Sequence, residues 1–182
     1  MKNISLLFIL LLAALSFSAC EKEKTPPTEL EKLPAATQEG KNTFGCLVDG
    51  KAWTPKWGGL INPGITPYYN NVLGNFSIIT HYYKDGKSES GFSIGQKFAP
   101  FFEPGTYTMD VGLSSYRFKS DTCISSILSG KSEYHNINGV FEITRLDVST
   151  GIISGTFEFD AVSETCQDTV RITDGRFDIK YK

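Results

Sequence analysis

From Phe44 onward the chain is written in short runs in which apolar and polar residues alternate, each run closed by Gly, Asn, Asp or Pro. A period of two sends successive side chains to opposite faces of an extended strand, so one face can be buried and the other wetted. Phe44, Cys46 and Val48 alternate in this way. Asp49-Gly50 then gives a two-residue hairpin signal into Lys51-Ala52-Trp53. A longer β-rich run covers Asn71 to Tyr83 and stops at Asp85-Gly86. Phe92-Ser93-Ile94, Thr106 to Met109 and Tyr116-Arg117-Phe118 read as further strands, the first two flanking a loop with Pro100 and Pro104. Val140 to Leu146 and Ile152 to Phe159 form the strongest hairpin, joined by residues 147–151.

The closing stretch carries a parity break. Val170 and Ile172 fall on one parity, whereas Phe177, Ile179 and Tyr181 fall on the other. Asp174-Gly175 lies between them, and a bulge or tight turn there would return both sets to one core face. No window holds a 3.6-residue period over ten or more residues, and Ile124 to Leu128 could form a turn or two at most. Frequent short strands with regular turn signals predict an all-β fold, an antiparallel β-sandwich with an open β-barrel as the alternative.

The first twenty residues follow a different rule. Met1-Lys2-Asn3 is followed by an apolar run from Ile4 to Leu15, interrupted only by Ser5, and then by Ser16-Phe17-Ser18-Ala19-Cys20. A positive start, a short apolar core and small residues before a cleavage point describe a signal peptide. The run is too short for a hydrocarbon layer of about 30 Å, which takes about 20 residues to cross. Phe17-Ser18-Ala19-Cys20 resembles the lipobox of bacterial lipoproteins. That resemblance implies cleavage before Cys20 and acylation of Cys20 with diacylglycerol and a further chain such as palmitate. Acyl chains contribute about 0.8 kcal/mol per buried CH₂, and stable anchoring takes more than one chain.

Residues 21–42 are charged, contain Pro26, Pro27 and Pro34, and show no sustained apolar period. Such composition predicts a flexible tether, locally stiffened by proline, because little apolar area is available to offset ordering entropy. The expected layout is a leader over 1–20, a tether over 21–42 and one β domain over 43–182. A domain of that size can bury one core.

Charge narrows the partners. The leader holds one of the 18 basic residues and none of the 20 acidic ones, leaving 17 against 20 and a net charge near −3. This gives no electrostatic reason to expect nucleic acid or anionic lipid as a partner. The membrane, reached through Cys20, is the expected partner, with a glycan or an envelope protein as further candidates.

Three cysteines remain besides Cys20. Cys123 and Cys166 sit in polar, turn-rich stretches, whereas Cys46 shares a strand face with Phe44 and Val48. An oxidising compartment permits a disulfide. Three cysteines allow three single bridges, of which Cys123–Cys166 with Cys46 free is favoured, since a strand-face cysteine behaves as a small buried hydrophobe. No CxxC occurs, and His81 and His135 lack an ExxH or HxH companion, so neither a metal nor a cofactor is expected.

Candidate chemistry is sparse. Trp53, Trp57, Tyr68 and Tyr82 could stack on sugars if exposed, although aromatic residues on strands more often fill sandwich cores. Glu158 and Asp160 share the face opposite Phe157 and Phe159. Glycosidase chemistry needs two carboxyls facing each other across a cleft about 5–9.5 Å apart, and two acids on one strand face are ordinarily solvating residues. There is no GxSxG elbow, and no catalytic residue is assigned. The expected function is therefore a non-enzymatic binding or structural module of the cell envelope. The alternative is a hydrolase acting on envelope or extracellular polysaccharide.

Residues 42–53 (NTFGCLVDGKAW), 143–147 (ITRLD), 153–159 (ISGTFEF) and 173–178 (TDGRFD) together resemble a family of uncharacterised Bacteroidetes lipoproteins, a domain of unknown function. The resemblance covers most of residues 42–181. It implies an outer-membrane, lipid-anchored protein with a β-rich domain and no assigned activity. It leaves open whether the domain faces the periplasm or the cell surface.

Overall fold

The computed structural model describes residues 26–70, 75–97, 103–109, 111, 114–118, 123 and 132–182. Eleven strands join in one antiparallel network. They are β1 (Thr43–Val48), β2 (Lys51–Trp53), β3 (Ile65–Asn70), β4 (Asn75–Lys84), β5 (Lys87–Lys97), β6 (Gly105–Thr108), β7 (Ser115–Phe118), β8 (Ser132–Asn136), β9 (Val140–Asp147), β10 (Ile152–Ser163) and β11 (Asp168–Lys180). The order is β2-β1-β11-β10-β8-β7-β5-β4-β3, with β9 on β10 and β6 on β9. The network is not closed into a barrel; the fold is an all-β sandwich.

The long strands β10 and β11 make the sandwich possible. One edge of β10 is shared, since Ile152 to Glu158 pair with β9 and Ala161–Val162 pair with β8. The two strands therefore run through both layers, and the turn from one layer to the other falls at a bulge. The β10–β11 register jumps between Phe157↔Gly175 and Phe159↔Ile172, and Asp174 stands there with φ 51°. Bulges let a strand change sheets while its side chains stay in phase with the core. Val170, Ile172, Phe177 and Ile179 are all buried, so the parity break of the sequence is resolved by the bulge.

Aromatic rings fill the space between the layers. Phe44 of β1 lies 5.9 Å from Phe92 of β5, and Phe76 of β4 lies 5.6 Å from Phe141 of β9 and 5.8 Å from Phe177 of β11. These rings are at most 2% exposed, and each fully buried aromatic of this kind contributes about 2–3 kcal/mol. Cys46 is free and buried in the same core, where burial pushes its thiol well up from the ordinary value.

Two strands lie outside the sequence pattern. The run expected from Asn71 to Tyr83 is β4 from Asn75, and a separate strand, β3, precedes it. β3 contains Pro67, which an edge position tolerates, and β3 is the last strand of the order. β8 reads Ser-Glu-Tyr-His-Asn and buries Ser132, Tyr134 and Asn136, so its inward face is mostly polar. The Asn136 side chain accepts from the Ser114 amide at 2.9 Å, and the Asn136 amide donates to the Ser114 carbonyl at 2.9 Å. The turn expected at Ile124 to Leu128 lies outside the described residues.

The tether expectation needs correction over residues 29–42, which are docked on the domain. Thr28 and Glu31 exchange capping bonds (Thr28 amide to Glu31 carboxylate 2.7 Å, Glu31 amide to Thr28 hydroxyl 3.3 Å) ahead of a 3-10 turn at Leu30–Lys32. Leu33 is buried, and Pro34 covers Gly45 of β1 so closely that a Cβ there would stand 2.7 Å from the proline ring. The Glu29 carboxylate accepts from the Ala52 amide at 2.8 Å, satisfying a donor on edge strand β2. The segment docks despite its polar composition because its own amides and a hydroxyl find a buried carboxylate, described below. Ordering entropy is offset by these charge-assisted hydrogen bonds together with the apolar contacts of Leu33 and Pro34.

Candidate functional site

The four aromatic candidates stand in different settings. Trp53 belongs to the core, 4.8 Å from Phe92 and 6.0 Å from Phe44, and its indole N–H donates to Ser90 Oγ at 2.9 Å. Trp53 is partly buried against the core, so only part of its ring stays accessible. Tyr82 is half-buried beneath the Lys56 ammonium, 5.7 Å from the ring centre. Trp57 and Tyr68 are exposed, at 66% and 51%. Tyr68 points outward from β3. Trp57 instead lines a recess with Lys32, Leu33, Pro34 and Ile65.

The acids Glu158 and Asp160 lie in open ground. A shallow groove of about 480 Å³ crosses β10 and β11 and holds both carboxylates together with Arg171. Asp160 accepts from the Asn138 side chain at 3.0 Å and lies 3.9 Å from Arg171, which projects from the paired position on β11. A second groove of about 450 Å³ shares Val140 and Glu158 with the first and adds Glu142, Asp174 and Arg176. Glu158 and Asp160 rise from one strand on one wall and do not face each other across a cleft. Together the two grooves hold four acids, Glu142, Glu158, Asp160 and Asp174, and two arginines, Arg171 and Arg176.

The histidines are engaged locally. His81 Nδ1 lies 3.2 Å from Ser88 Oγ, and its ring is 5.4 Å from Tyr83. His135 lies 3.8 Å from Glu133, whose carboxylate pairs with Arg117 at 2.6 Å. Among the described residues no group of three or more His, Cys, Asp or Glu side chains is placed to hold a metal ion. Cys123 and Cys166 are joined in a disulfide with their Cα atoms 5.8 Å apart. Cys20 lies outside the described residues.

Among the described residues, one heavily bonded ionisable group carries no mark in the sequence pattern. Asp178 of β11 is 1% exposed. Its carboxylate accepts from Thr37 Oγ1 (2.6 Å), Ser154 Oγ (2.7 Å) and the backbone amides of Glu39 (3.0 Å), Gly40 (2.7 Å) and Lys41 (3.2 Å). Burial alone would raise its pKa. The bonds from Thr37, Ser154, Glu39 and Gly40 outweigh burial and lower it to about 2. Only the pairing of β10 and β11 brings Ser154 opposite Asp178, and only the docked segment brings the other donors, so no local motif announces the cluster.

Asp147 plays a similar part on a smaller scale. It accepts from the Ser149 hydroxyl (2.6 Å), the amides of Ser149 and Thr150 (3.0 Å each) and Arg145 (2.9 Å), closing the β9–β10 turn. Those bonds hold its carboxyl well below the usual range.

Comparison with protein-family models, with curated proteins and with solved structures finds no match to this chain.

Proposed function

We propose that this chain is a cell-envelope lipoprotein of the Bacteroidetes type, acylated on Cys20 at the outer membrane, whose β-sandwich is a non-enzymatic binding or structural module. The observation that carries the non-enzymatic reading is the work its acids do. Strongly perturbed carboxylates often mark catalytic clefts. Here the two most depressed ones, Asp178 and Asp147, are saturated by backbone amides, hydroxyls and one arginine, and hold a docked segment and a turn. A carboxylate occupied by four or five donors is stabilised as an anion and is a poor general acid or base at neutral pH.

The joined grooves over β9, β10 and β11 supply the binding surface of this reading. They are open, and they carry Glu142, Glu158, Asp160 and Asp174 together with Arg171 and Arg176. Such a track suits an extended polar partner, a glycan chain or a segment of an envelope protein.

Two measurements test the proposal. Cells fed an alkyne-bearing palmitate should label the wild-type chain and leave Cys20→Ser unlabelled; label on both, or on neither, contradicts acylation at Cys20. The purified acylated protein, mixed with envelope polysaccharide, should co-sediment without releasing new reducing ends, and Glu158→Gln with Arg171→Gln should weaken co-sedimentation. Release of reducing ends that Glu158→Gln abolishes would favour the hydrolase instead.

A further inference from the structure

The loop between β2 and β3 carries the most exposed apolar side chains among the described residues. Leu60 is 98% exposed and Ile61 86%, with Trp57 at 66% in the same loop. These residues sit on a built scaffold. The Asn62 amide donates to the Gly59 carbonyl at 3.3 Å and the Gly58 amide to the Asn62 carbonyl at 3.1 Å, so Leu60 and Ile61 form the tip of a tight turn. The base of the loop is fixed to β4 by Lys56 amide to His81 carbonyl (2.9 Å), Tyr83 amide to Lys56 carbonyl (3.1 Å) and His81 amide to Gly64 carbonyl (2.9 Å). Tyr83 packs on Gly58 so tightly that a Cβ there would meet its ring at 2.5 Å. A fixed turn that presents two adjacent aliphatic side chains to water, with an exposed tryptophan in the same loop, forms an apolar patch of the kind that marks a contact surface.

The course of the chain says what meets this tip. Docking of residues 29–42 leaves nine residue steps between Cys20 and Glu29, which span at most about 32 Å. The docked segment reaches the domain beside this loop: Trp57 lines one recess with Lys32, Leu33 and Pro34, and Leu30 of the same segment is 47% exposed. An acyl chain on Cys20 therefore holds the Leu30 and Trp57 side of the domain close to a bilayer. Lys56 stands at the base of the loop, with its ammonium 5.7 Å from the centre of the Tyr82 ring. Aliphatic residues at an apex, with a tryptophan and a lysine at the base, are the composition of a segment lying in the headgroup layer.

We infer that the loop of residues 57–61 is a second membrane contact, in which Leu60 and Ile61 insert into the lipid surface that holds the Cys20 acyl chains. The inference rests on the lipoprotein reading of Cys20. The anchor confines the domain, and the loop sets its orientation, leaving the grooves of β9–β11 to other partners.

Tryptophan quenching tests it on the full acylated protein. The chain has two tryptophans, and Trp53 is in the core, so the difference between wild type and Trp57→Phe reports Trp57. Protein reconstituted in phosphatidylethanolamine–phosphatidylglycerol vesicles is compared with vesicles whose acyl chains carry bromine near the headgroup. The Trp57 signal should be quenched severalfold and shifted to the blue, and Leu60→Ser with Ile61→Ser should reverse both changes while the protein stays in the vesicles. If protein in the vesicles shows no bromine quenching of Trp57, or quenching that the serine pair leaves unchanged, the inference is overturned and the lipoprotein reading stands. A blue shift without bromine quenching would mean that a protein surface, such as a second copy, covers the loop, and overturns it equally. Protein that lacks label and fails to enter vesicles through Cys20 would overturn the lipoprotein reading itself.

Discussion

The Thr37 hydroxyl and the Asp178 carboxylate are 141 positions apart in the sequence and 2.6 Å apart in the fold. That bond, with those from Glu39, Gly40 and Lys41, fastens the segment ahead of β1 to the last strand of the sandwich. On the proposed lipoprotein reading, an anchor at Cys20 would then be joined to the domain through a few residues instead of a long free tether.

Removing the carboxylate should release that coupling. Asp178→Ala strands buried donors and should cost about 3 kcal/mol of unfolding free energy by urea titration. It should also open residues 29–42 to protease while β10 and β11 remain resistant. Cleavage of the variant at the wild-type rate would show that the carboxylate does not hold the segment.

The same group predicts an acid dependence. Its pKa is about 2 when folded against an ordinary 3.8, a depressed value. A depressed acid contributes stability that is fully present above its unfolded pKa and is lost as pH falls through its folded one. Between pH 4 and pH 2 the protein should therefore lose about 2 kcal/mol from this group. Asp178→Asn carries no such proton linkage, so the stability gap between wild type and Asp178→Asn should narrow by that amount from pH 5 to pH 2. A gap that stays constant would refute the assignment.

Reduction provides a third test. Cys123 and Cys166 close a loop with a sequence separation of 43 residues, for which chain entropy gives about 4 kcal/mol. Cys123→Ser with Cys166→Ser should lower stability by up to that amount. With Cys20 acylated, thiol titration should find none accessible in the native protein, one in denaturant (Cys46) and three after reduction. A native, reactive Cys46 would contradict its burial.

The bulge at Asp174 can be probed by side-chain choice. Its φ of 51° lies in the left-handed region, where Asp is tolerated and β-branched residues are not. Asp174→Gly should be nearly neutral, whereas Asp174→Val should cost about 1–2 kcal/mol. Equal stability of the two variants would mean that the backbone there is free to relax.

These cases also show what was legible in the residues. Alternation exposed β1, β4, β9 and β10, and the Asp49-Gly50 and Asp85-Gly86 turns have positive φ at both positions, as a two-residue hairpin requires. The parity break at Asp174-Gly175 announced a bulge because Phe177 and Ile179 had to share a face with Val170 and Ile172. β8 was hidden because its inward residues are Ser132, Tyr134 and Asn136, which hydropathy does not mark as core. The docked segment was hidden for a different reason. Its stability comes from donors converging on one distant acid, and a charged, proline-containing stretch looks alike whether or not such an acceptor waits for it. The Thr28-x-x-Glu31 capping pair was the one local sign of order there. Of the aromatic candidates, composition could not separate Trp53 in the core from Trp57 at the surface, since that depends on which strand and which loop each one occupies.

Amide hydrogen exchange across residues 37–42 of the mature protein tests the docking of this segment most directly. The amides of Glu39, Gly40 and Lys41 donate to a buried carboxylate, so they should exchange far more slowly than an open chain, and Asp178→Ala should restore open-chain rates. Open-chain exchange in the wild-type protein would return the segment to a free tether.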